Sequence, residues 1–374
     1  MSNFIPVNQP VIKEREKELI MQCLDSGWVS SEGPFVNQFE EKFSKKVNRK
    51  YGIACSSGTA ALDIAIKSLK CGPGDEIILP AFTIISCASA VYKSGAKIVL
   101  VDCDKDTWLM QPESVENAIT QNTKAIMVVH IYGLPVNLDP IIEIAKRNRI
   151  SIIEDCAEQI GGKYKGKPCG SFGDISTFSF YPNKNITTGE GGMVVTNNSE
   201  LAERSRSLRN LCFKNSSRFV HDELGWNYRM TNMQAALGIA QLERLDESVK
   251  KKIQIGRLYY NGLKDVDMIQ LPVNNLSYAN NIFWVYGIVF NSKLGIADNY
   301  IKELAKNYIG TRPFFYPIHK QPVFLKKGLF QGESHPISEN IYKYGLYLPS
   351  GLAITAEQID IVVNTLKSLI KRNL

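Results

Sequence analysis

The chain has 374 residues, of which 44% are hydrophobic and 22% are charged, a balance typical of a soluble globular protein. Its net charge of +7 comes from basic residues scattered along the sequence, without the interleaved aromatic residues of a nucleic-acid-binding surface, so we expect no nucleic-acid partner. No run of about 20 apolar residues occurs, which predicts that the chain has no transmembrane helix and no membrane partner.

The start of the chain has no basic segment followed by an apolar one, so no signal peptide is predicted. The eight cysteines include no C-x-x-C pair, and the four histidines lie far apart in the sequence. This pattern predicts no metal site and favours reduced thiols in a cytoplasmic protein.

From about residue 50 to 200, short apolar runs alternate with amphipathic stretches, which predicts an α/β domain with a mostly parallel sheet. The predicted strands are 77–79, 97–102, 125–130, 150–155, 177–181 and 193–196. The predicted helices between them are 59–69, 112–119 and 138–147. Because ligands of such sheets bind at the carboxyl ends of the strands, we expect the functional site there.

The second half of the chain has a different pattern. Residues 198–262 are predicted to be mostly helical, with one long helix from 231 to about 263. A strand over 282–290 and helices over 297–308 and 355–370 then predict a smaller α+β domain. We therefore expect a large domain over residues 1–249, which includes an N-terminal arm, and a small domain over 250–374.

Two charged residues follow predicted strands of the large domain. Asp155 ends the run 150–155, and Lys184 lies in a polar turn just beyond the run 175–181 and Pro182. An enzyme that uses pyridoxal phosphate (PLP) needs such a pair, because the lysine forms a Schiff base and the acid pairs with the pyridinium nitrogen. Most lysines in polar turns are only solvated, so the pair alone is a weak signal.

Two segments resemble phosphate-binding loops. In the first, Gly58 would let an anion approach the amides at a helix N-terminus and Thr59 would add a hydroxyl, although on sequence alone an ordinary N-cap at Ser57 or Thr59 is the commoner meaning of this pattern. The second, residues 161–168, nearly matches a P-loop. Pro168 replaces the hydroxyl residue that would bind magnesium there, so we expect a solvated hairpin instead.

Motifs along nearly the whole chain resemble the PLP-dependent sugar-nucleotide aminotransferases of the DegT/DnrJ/EryC1/StrS family, which have the aspartate-aminotransferase (type I) fold. The motifs are GWVSSEG (27–33), SGTAAL (57–62), GPGDEI (72–77), HIYG (130–133), IEDCAE (153–158), GDISTFSF (173–180), TTGEGG (187–192) and NYRMTNMQAA (227–236). The resemblance implies a large domain with a mostly parallel seven-stranded sheet and a smaller α+β C-terminal domain.

The resemblance also implies roles for single residues. Lys184 and Asp155 would be catalytic. The residues expected to bind the cofactor are Gly58, Thr59, Asp155, Glu158, Ser179, Lys184 and Asn227. Asn227 would reach the cofactor phosphate of the neighbouring subunit, which implies a homodimer with shared active sites. Arg312 and His319 are expected to bind the substrate.

Within the family, Glu158 and the segments 187–192, 227–232 and 312–319 are most similar to the enzymes that make GDP-perosamine, a sugar of lipopolysaccharide O-antigens. This implies that L-glutamate donates an amino group to carbon 4 of GDP-4-keto-6-deoxymannose. A dTDP- or UDP-linked keto sugar, aminated at C4 or C3, stays open as an alternative. Relatives that dehydrate the sugar have histidine in place of Lys184. A catalytically inert regulator is disfavoured because the lysine and the aspartate are both present.

The chain departs from the family pattern at two places. Ile84 stands where the family places an aromatic residue on the cofactor ring, and the aromatic residue here, Phe82, lies two positions earlier. Tyr181 and Pro182 precede Lys184 where the GDP-perosamine enzymes have Phe-Gly. The residue that stacks on the ring is therefore left open.

Overall fold

The computed structural model describes residues 4–214 and 216–372 of the chain. The prediction that the chain starts without a signal peptide depends partly on residues 1–3, which lie outside the described residues. The strands are β1 (Tyr51–Cys55), β2 (Glu76–Pro80), β3 (Lys97–Val101), β4 (Thr123–Val129), β5 (Ser151–Asp155), β6 (Lys163–Tyr164), β7 (Lys167–Pro168), β8 (Ile175–Ser179), β9 (Gly192–Thr196), β10 (Ile269–Gln270), β11 (Asn275–Leu276), β12 (Ala279–Asn280), β13 (Tyr286–Phe290), β14 (Arg312–Pro313) and β15 (Gly345–Leu348).

The α-helices are α1 (Glu14–Ser26), α2 (Pro34–Lys46), α3 (Gly58–Ser68), α4 (Ile85–Ser94), α5 (Pro112–Asn117), α6 (Leu138–Asn148), α7 (Ser199–Arg209), α8 (Asn232–Glu243), α9 (Leu245–Leu263), α10 (Ala297–Lys306), α11 (Pro322–Leu325), α12 (Pro336–Tyr344) and α13 (Ala356–Arg372). None of the helices in the described part of the chain has the length and apolarity that a membrane crossing requires.

A seven-stranded sheet has the order β1, β9, β8, β5, β4, β2, β3. The four pairs from β8 to β3 are parallel, and β9 is antiparallel to both of its neighbours. Strands β2, β4 and β5 are almost wholly buried, as expected for parallel strands with both faces covered. The predicted α/β fold with a mostly parallel seven-stranded sheet is therefore confirmed.

All six strands predicted between residues 77 and 196 are present, and the strand predicted at 177–181 begins and ends two residues earlier. Helices α1, α2 and α4 have no counterpart in the prediction. The segment that resembles a P-loop is a hairpin, in which β6 pairs with β7, as predicted.

The helical prediction for residues 198–262 was partly wrong. Residues 210–214 and 216–231 do not form a helix. Helix α7 cannot continue past Arg209, because Leu211 and Cys212 have positive φ angles of 58° and 52°, which a right-handed helix cannot accommodate. The long helix predicted from residue 231 is two helices, α8 and α9, which are separated at Arg244, where φ is −115°.

The second part of the chain contains an antiparallel sheet with the order β10, β13, β15, β14. Strand β13, one of its two central strands, begins at Tyr286, so the strand predicted over 282–290 is shorter than expected. Phe283, just before β13, has a positive φ of 50°. Helix α9 contributes Leu245 to the core around the seven-stranded sheet, and Ile255 and Tyr259 to a second core. The domain boundary placed after residue 249 would thus fall inside α9, and it stays a prediction.

Candidate active site

A cavity of about 380 Å³ lies at the carboxyl ends of the parallel strands, where the fold predicts a ligand site. Val129, Asp155 and Ser179, the last residues of β4, β5 and β8, contribute to its wall. The other lining residues are Ser57, Gly58, Thr59, Leu62, Ile84, Ser86, Ala157, Glu158, Thr177, Phe178, Tyr181, Asn183, Lys184, Glu190, Trp284, Phe315 and Tyr347. Both parts of the chain therefore build this cavity.

One end of the cavity is formed by the N-terminus of α3. Ser57 is the N-cap of this helix, since its hydroxyl accepts a hydrogen bond from the amide of Ala60 at 3.1 Å. A Cβ atom on Gly58 would lie 2.7 Å from Cβ of Ser179, so only glycine allows this approach. Thr59 donates a hydrogen bond to Ser86 at 3.0 Å. The amides of a helix start and these hydroxyls fit the phosphate of PLP.

Asp155 is buried at the end of β5. Its Oδ1 accepts a hydrogen bond from the amide of Ala157 at 3.0 Å, and its Oδ2 lies 3.3 Å from the Cys87 thiol, which donates to it. Burial raises the pKa of Asp155, and these hydrogen bonds and Lys184 act against that rise. The carboxylate can pair with a protonated ring nitrogen, as the cofactor requires.

Lys184 is half-buried and lines the same cavity. Its Nζ lies 3.6 Å from the centre of the Trp284 ring, and Nε1 of Trp284 donates a hydrogen bond to the carbonyl of Asn183 at 2.8 Å. Burial lowers the pKa of Lys184, while the negative charges of Glu158 and Asp155 act in the opposite direction. A lowered pKa makes the neutral amine, which is the nucleophilic form, available closer to neutral pH.

Glu158 faces the cavity from the turn that follows β5. Its Oε2 accepts a hydrogen bond from the backbone amide of Tyr132 at 2.8 Å. Burial raises the pKa of Glu158, and the charge of Asp155 adds to this rise, whereas Lys184 and the Tyr132 amide oppose it. The structure thus places a protonatable carboxyl group beside the Lys184 amine.

A separate buried cluster of His130, Glu154 and Cys156 has the residue types of a metal site. The amide of Val136 donates to Nδ1 of His130, so Nε2 carries the proton and donates to Glu154 at 3.1 Å. Burial opposes the charge of Glu154, but the hydrogen bonds from His130 and from backbone amides, including that of Gly170, lower its pKa to about 2. Both imidazole nitrogens are therefore already used in a structural network.

Three predicted site residues lie away from the cavity. Asn227 is exposed and forms a β-bridge with Asn210. Arg312 is exposed and pairs across the small sheet with Tyr347, which does line the cavity. His319 is buried, and its Nε2 lies 2.9 Å from Oε1 of Glu339. The structure does not bring these residues to the cavity of their own chain, and their roles stay predictions.

The residue that covers the cofactor ring was left open by the sequence. Ile84 lines the cavity with 40% of its surface exposed. Phe82 is fully buried instead, in an aromatic cluster with Tyr132 and Phe314, and it does not line the cavity. Ile84 therefore reaches the cavity and Phe82 does not, and contact of Ile84 with the ring stays a prediction.

Sequence reasoning missed the cavity residues Trp284 and Tyr347, because each lies in an apolar run or a strand that is typical of ordinary core, and it noted Phe315 only as part of the segment 312–319. Cys87 also escaped notice, since a cysteine in an apolar run normally behaves as a small hydrophobe. Only the fold shows that these residues meet Lys184 and Asp155.

Residues 10–367 match the model of the DegT/DnrJ/EryC1/StrS aminotransferase family. The chain is 40% identical to the GDP-perosamine synthase of Escherichia coli O157:H7, with 95% of this chain and 96% of that protein aligned. It is 38% identical to the GDP-perosamine synthase of Caulobacter vibrioides, with 98% of each chain aligned. Spr1654 from Streptococcus pneumoniae, solved in its PLP form, superposes with a TM-score of 0.92 at 26% identity, covering 99% of this chain and 100% of that one.

These matches confirm the predicted family, its type I fold and its dependence on PLP. The helix N-terminus at Gly58 and the pair of Lys184 and Asp155, which line the same cavity, fit that cofactor. The chain belongs to the DegT/DnrJ/EryC1/StrS aminotransferase family.

Proposed function

We propose that this aminotransferase moves an amino group from L-glutamate to carbon 4 of GDP-4-keto-6-deoxymannose, which gives GDP-perosamine. Relatives named GDP-perosamine synthase align with 95% and 98% of the chain at 40% and 38% identity, and this similarity carries the choice of substrate. The chemistry of transamination is supported separately, by the lysine and the two carboxyl groups that share one cavity.

Each predicted cofactor residue in the cavity has a distinct task in this proposal. Gly58, Thr59 and Ser179 would bind the phosphate at the start of α3. Asp155 would keep the ring nitrogen protonated, so that bound PLP could provide an electron sink for the bonds broken at the amino-bearing carbon. Lys184 would be the attachment point of the cofactor, and its amine, once free, would move the proton to and from the reacting carbon of each substrate.

Glu158 lies where it can contact the cofactor beside Lys184. Because burial raises its pKa, the carboxyl group is able to hold a proton at a pH where an exposed glutamate is charged. Trp284, Phe315 and Tyr347 contribute an aromatic wall to the same cavity. Such a wall keeps water from the reacting atoms and provides flat apolar surfaces against which a sugar ring can pack.

We also propose a homodimer with shared active sites. Asn227 is exposed and does not line the cavity of its own chain, which fits a residue that serves a neighbouring site. In the loop just before it, Phe219 is 79% exposed and Leu224 is 87% exposed. Large apolar side chains that protrude in this way favour contact with another protein surface.

A cytoplasmic location and a role in O-antigen synthesis complete the proposal. All eight cysteines lie in the described part of the chain, where they are buried and form no disulfide. Free thiols of this kind fit a reducing compartment. The role in O-antigen synthesis rests only on the proposed product.

The substrate is tested by measuring kcat/KM side by side for GDP-, dTDP- and UDP-linked 4-keto-6-deoxy sugars, with glutamate as donor. We expect the GDP-linked sugar to be preferred by at least about a hundredfold, because a site that hydrogen-bonds one base leaves polar groups unpaired with another. A preference for a dTDP- or UDP-linked sugar would overturn the substrate and leave the aminotransferase in place. The position of the new amino group, C4 or C3, is read from the product by nuclear magnetic resonance.

A further inference from the structure

Cys87, in the first turn of α4, places a thiol against the buried carboxylate of Asp155. Its Sγ lies 3.3 Å from Oδ2 of Asp155, and an ionised carboxylate can only accept, so the thiol is the donor. Cys87 is fully buried, and its neighbours Ile84 and Ser86 line the cavity. The start of α4 therefore contributes to the cavity wall and also holds a carboxylate of that wall from behind.

The hydroxyl of Thr83 fixes the direction of this thiol. Its Oγ1 lies 3.5 Å from Sγ of Cys87, and Thr83 is 1% exposed. A thiol has a single proton, which Cys87 gives to Asp155, so Thr83 is the donor to the sulfur. The hydrogen bonds then run in one direction, from Thr83 through Cys87 to Asp155. Donors linked in this way polarise one another, which strengthens the bond from the thiol.

Asp155 is buried, and the groups around it decide whether it keeps its charge. Burial raises its pKa, and the hydrogen bonds from the Ala157 amide and the Cys87 thiol act against that rise. Lys184 and His130 act in the same direction as these donors. The Ala157 amide binds Oδ1, so the thiol is the donor that acts on the other carboxylate oxygen.

The chemistry of a thiol suits this position. Glu158 faces the same cavity, and a charge on one of the two carboxyl groups opposes a charge on the other. A cationic partner would cancel the charge of Asp155, whereas a thiol is neutral and a weak donor. Cys87 therefore favours the charged carboxylate and leaves its negative charge available for a protonated ring nitrogen.

We propose that Cys87 is a positioning residue that acts through Asp155, and that its thiol, with Thr83 behind it, keeps the carboxylate charged and fixed before the cofactor binds. This inference rests on the proposed function, in which Asp155 pairs with the ring nitrogen. A protonated Asp155 cannot form that pair, so cofactor affinity is lost as the pH falls through the pKa of Asp155 in the apo-protein. Without the thiol donor this pKa is higher, and the loss begins at a higher pH.

The test is the pH dependence of the dissociation constant of pyridoxamine phosphate and the apo-protein, followed by the fluorescence of the ligand. This ligand has the ring and phosphate of PLP but forms no Schiff base with Lys184. Its own titrating groups are the same in every sample, so a difference between variants belongs to the protein. We expect Cys87→Ala to move the acid midpoint upward by roughly half a pH unit, the effect of one modest hydrogen bond.

Three further variants show whether the donated proton matters. Cys87→Ser keeps a donor and should recover most of the shift. Thr83→Val keeps the thiol but removes the hydroxyl behind it, so it should give a smaller upward shift. Cys71→Ala, which removes a buried thiol elsewhere in the core around the same sheet, is the control and should leave the midpoint unchanged. Above the midpoint Asp155 is charged in every variant, so all of them should bind the ligand equally.

An unchanged midpoint in folded Cys87→Ala protein would overturn the inference, and so would a Cys87→Ser midpoint as high as that of Cys87→Ala. Binding by Cys87→Ala that is equally weakened at every pH would indicate only a disturbed cavity and would overturn it too. If circular dichroism shows that Cys87→Ala does not fold, Thr83→Val decides in its place, and an unchanged midpoint there overturns the inference.

Asp155→Asn separates this inference from the proposed function. Its side chain does not titrate, so the acid midpoint of the wild type should disappear. If Asp155→Asn keeps that midpoint, the pairing of Asp155 with the ring nitrogen fails, and this part of the proposed function fails with it. If the midpoint disappears in Asp155→Asn but does not move in Cys87→Ala, only the role of Cys87 fails.

Discussion

At the scale of single residues, the chemistry of the cavity depends on three ionisable side chains that line it together, Lys184, Glu158 and Asp155. Burial disfavours the charged forms of Lys184, Glu158 and Asp155, and Lys184 and the two carboxyl groups oppose that effect on each other, whereas Asp155 adds to the rise in the pKa of Glu158. Glu154, the neighbour of Asp155 in β5, belongs to a different network with His130. Because side chains alternate along a strand, adjacent carboxylates of one strand can serve structure and catalysis separately.

Replacement of Lys184 by alanine should lower kcat by about a thousandfold or more, because no other lysine of the described residues lines the cavity. The variant should still bind PLP, since the cradle at Gly58 and the carboxylate of Asp155 remain. Single-turnover kinetics and the visible spectrum measure the two effects, with the exposed Lys163→Ala as the control. Substantial turnover by pure Lys184→Ala protein would refute the assignment.

Replacement of Asp155 by asparagine should lower kcat/KM more than tenfold, a loss of at least about 1.4 kcal/mol, because an unprotonated ring is a poor electron sink. The amide keeps the size of the side chain and can still accept from the Ala157 amide, so the fold should be unaffected. Steady-state kinetics give the result. A smaller loss would mean that another group protonates the ring nitrogen.

Replacement of Glu154 by glutamine should destabilise the protein without touching the cavity. The lowering of the pKa from 4.5 to about 2 corresponds to about 3 kcal/mol of stability at pH 7. Since the folded-state pKa is depressed, this stability is present above pH 4.5 and is lost as the pH falls towards 2. Urea unfolding of the apo-protein between pH 3 and 7 should show that the free energy of unfolding depends much less on pH in Glu154→Gln than in the wild type. Glu41→Gln, at an exposed position, is the control. An equal pH dependence of the unfolding free energy in Glu154→Gln and in the wild type would contradict the stabilising role of this network.

At the scale of elements, helix α8 shows how packing overrides helix propensity. Gly238 lies inside this helix, where alanine would normally be more favourable by about 1 kcal/mol. A Cβ atom there would lie 2.7 Å from the ring of Phe39, which is fully buried in α2. The close approach of α2 and α8 therefore depends on this glycine.

We expect Gly238→Ala to lower the free energy of unfolding by about 1 to 2 kcal/mol, because overpacking outweighs the gain in propensity. Urea unfolding at a fixed protein concentration measures the change. Gln254→Ala, at an exposed position inside α9, should be neutral or slightly stabilising. A gain in stability for Gly238→Ala would show that the two helices can move apart without cost.

The elements also show what a sequence can and cannot reveal. The apolar run that ends at Asp155 and the glycine-rich segments predicted the sheet and its functional edge, because strand length and turn residues are local properties. The contact of Trp284 with Lys184 depends on how two cores meet, which no local pattern encodes. Lys252 stands in a run of three lysines and looks solvated. Its spacing from the buried Ser248 and Ile255 places it on the inner face of α9. This spacing was the one feature of the sequence that could have indicated that Lys252 is buried.

At the scale of the whole molecule, the proposed dimer predicts complementation between two inactive chains. Lys184→Ala lacks the amine, and Asn227→Ala lacks the side chain that would serve the neighbouring site. In a mixed dimer, one of the two sites contains both residues, so mixing should restore up to about a quarter of the wild-type activity if the chains exchange freely. Mass spectrometry of intact dimers confirms the exchange. No restored activity in exchanged dimers would contradict shared sites.

The most direct test of the central claim is the position of the covalently bound cofactor. The wild-type protein is loaded with PLP, reduced with borohydride, digested and mapped by mass spectrometry. The account predicts one phosphopyridoxyl group per chain, on Lys184, and none on Lys252. Attachment to another lysine, or reduction that leaves Lys184 unmodified while the protein transaminates, would contradict it.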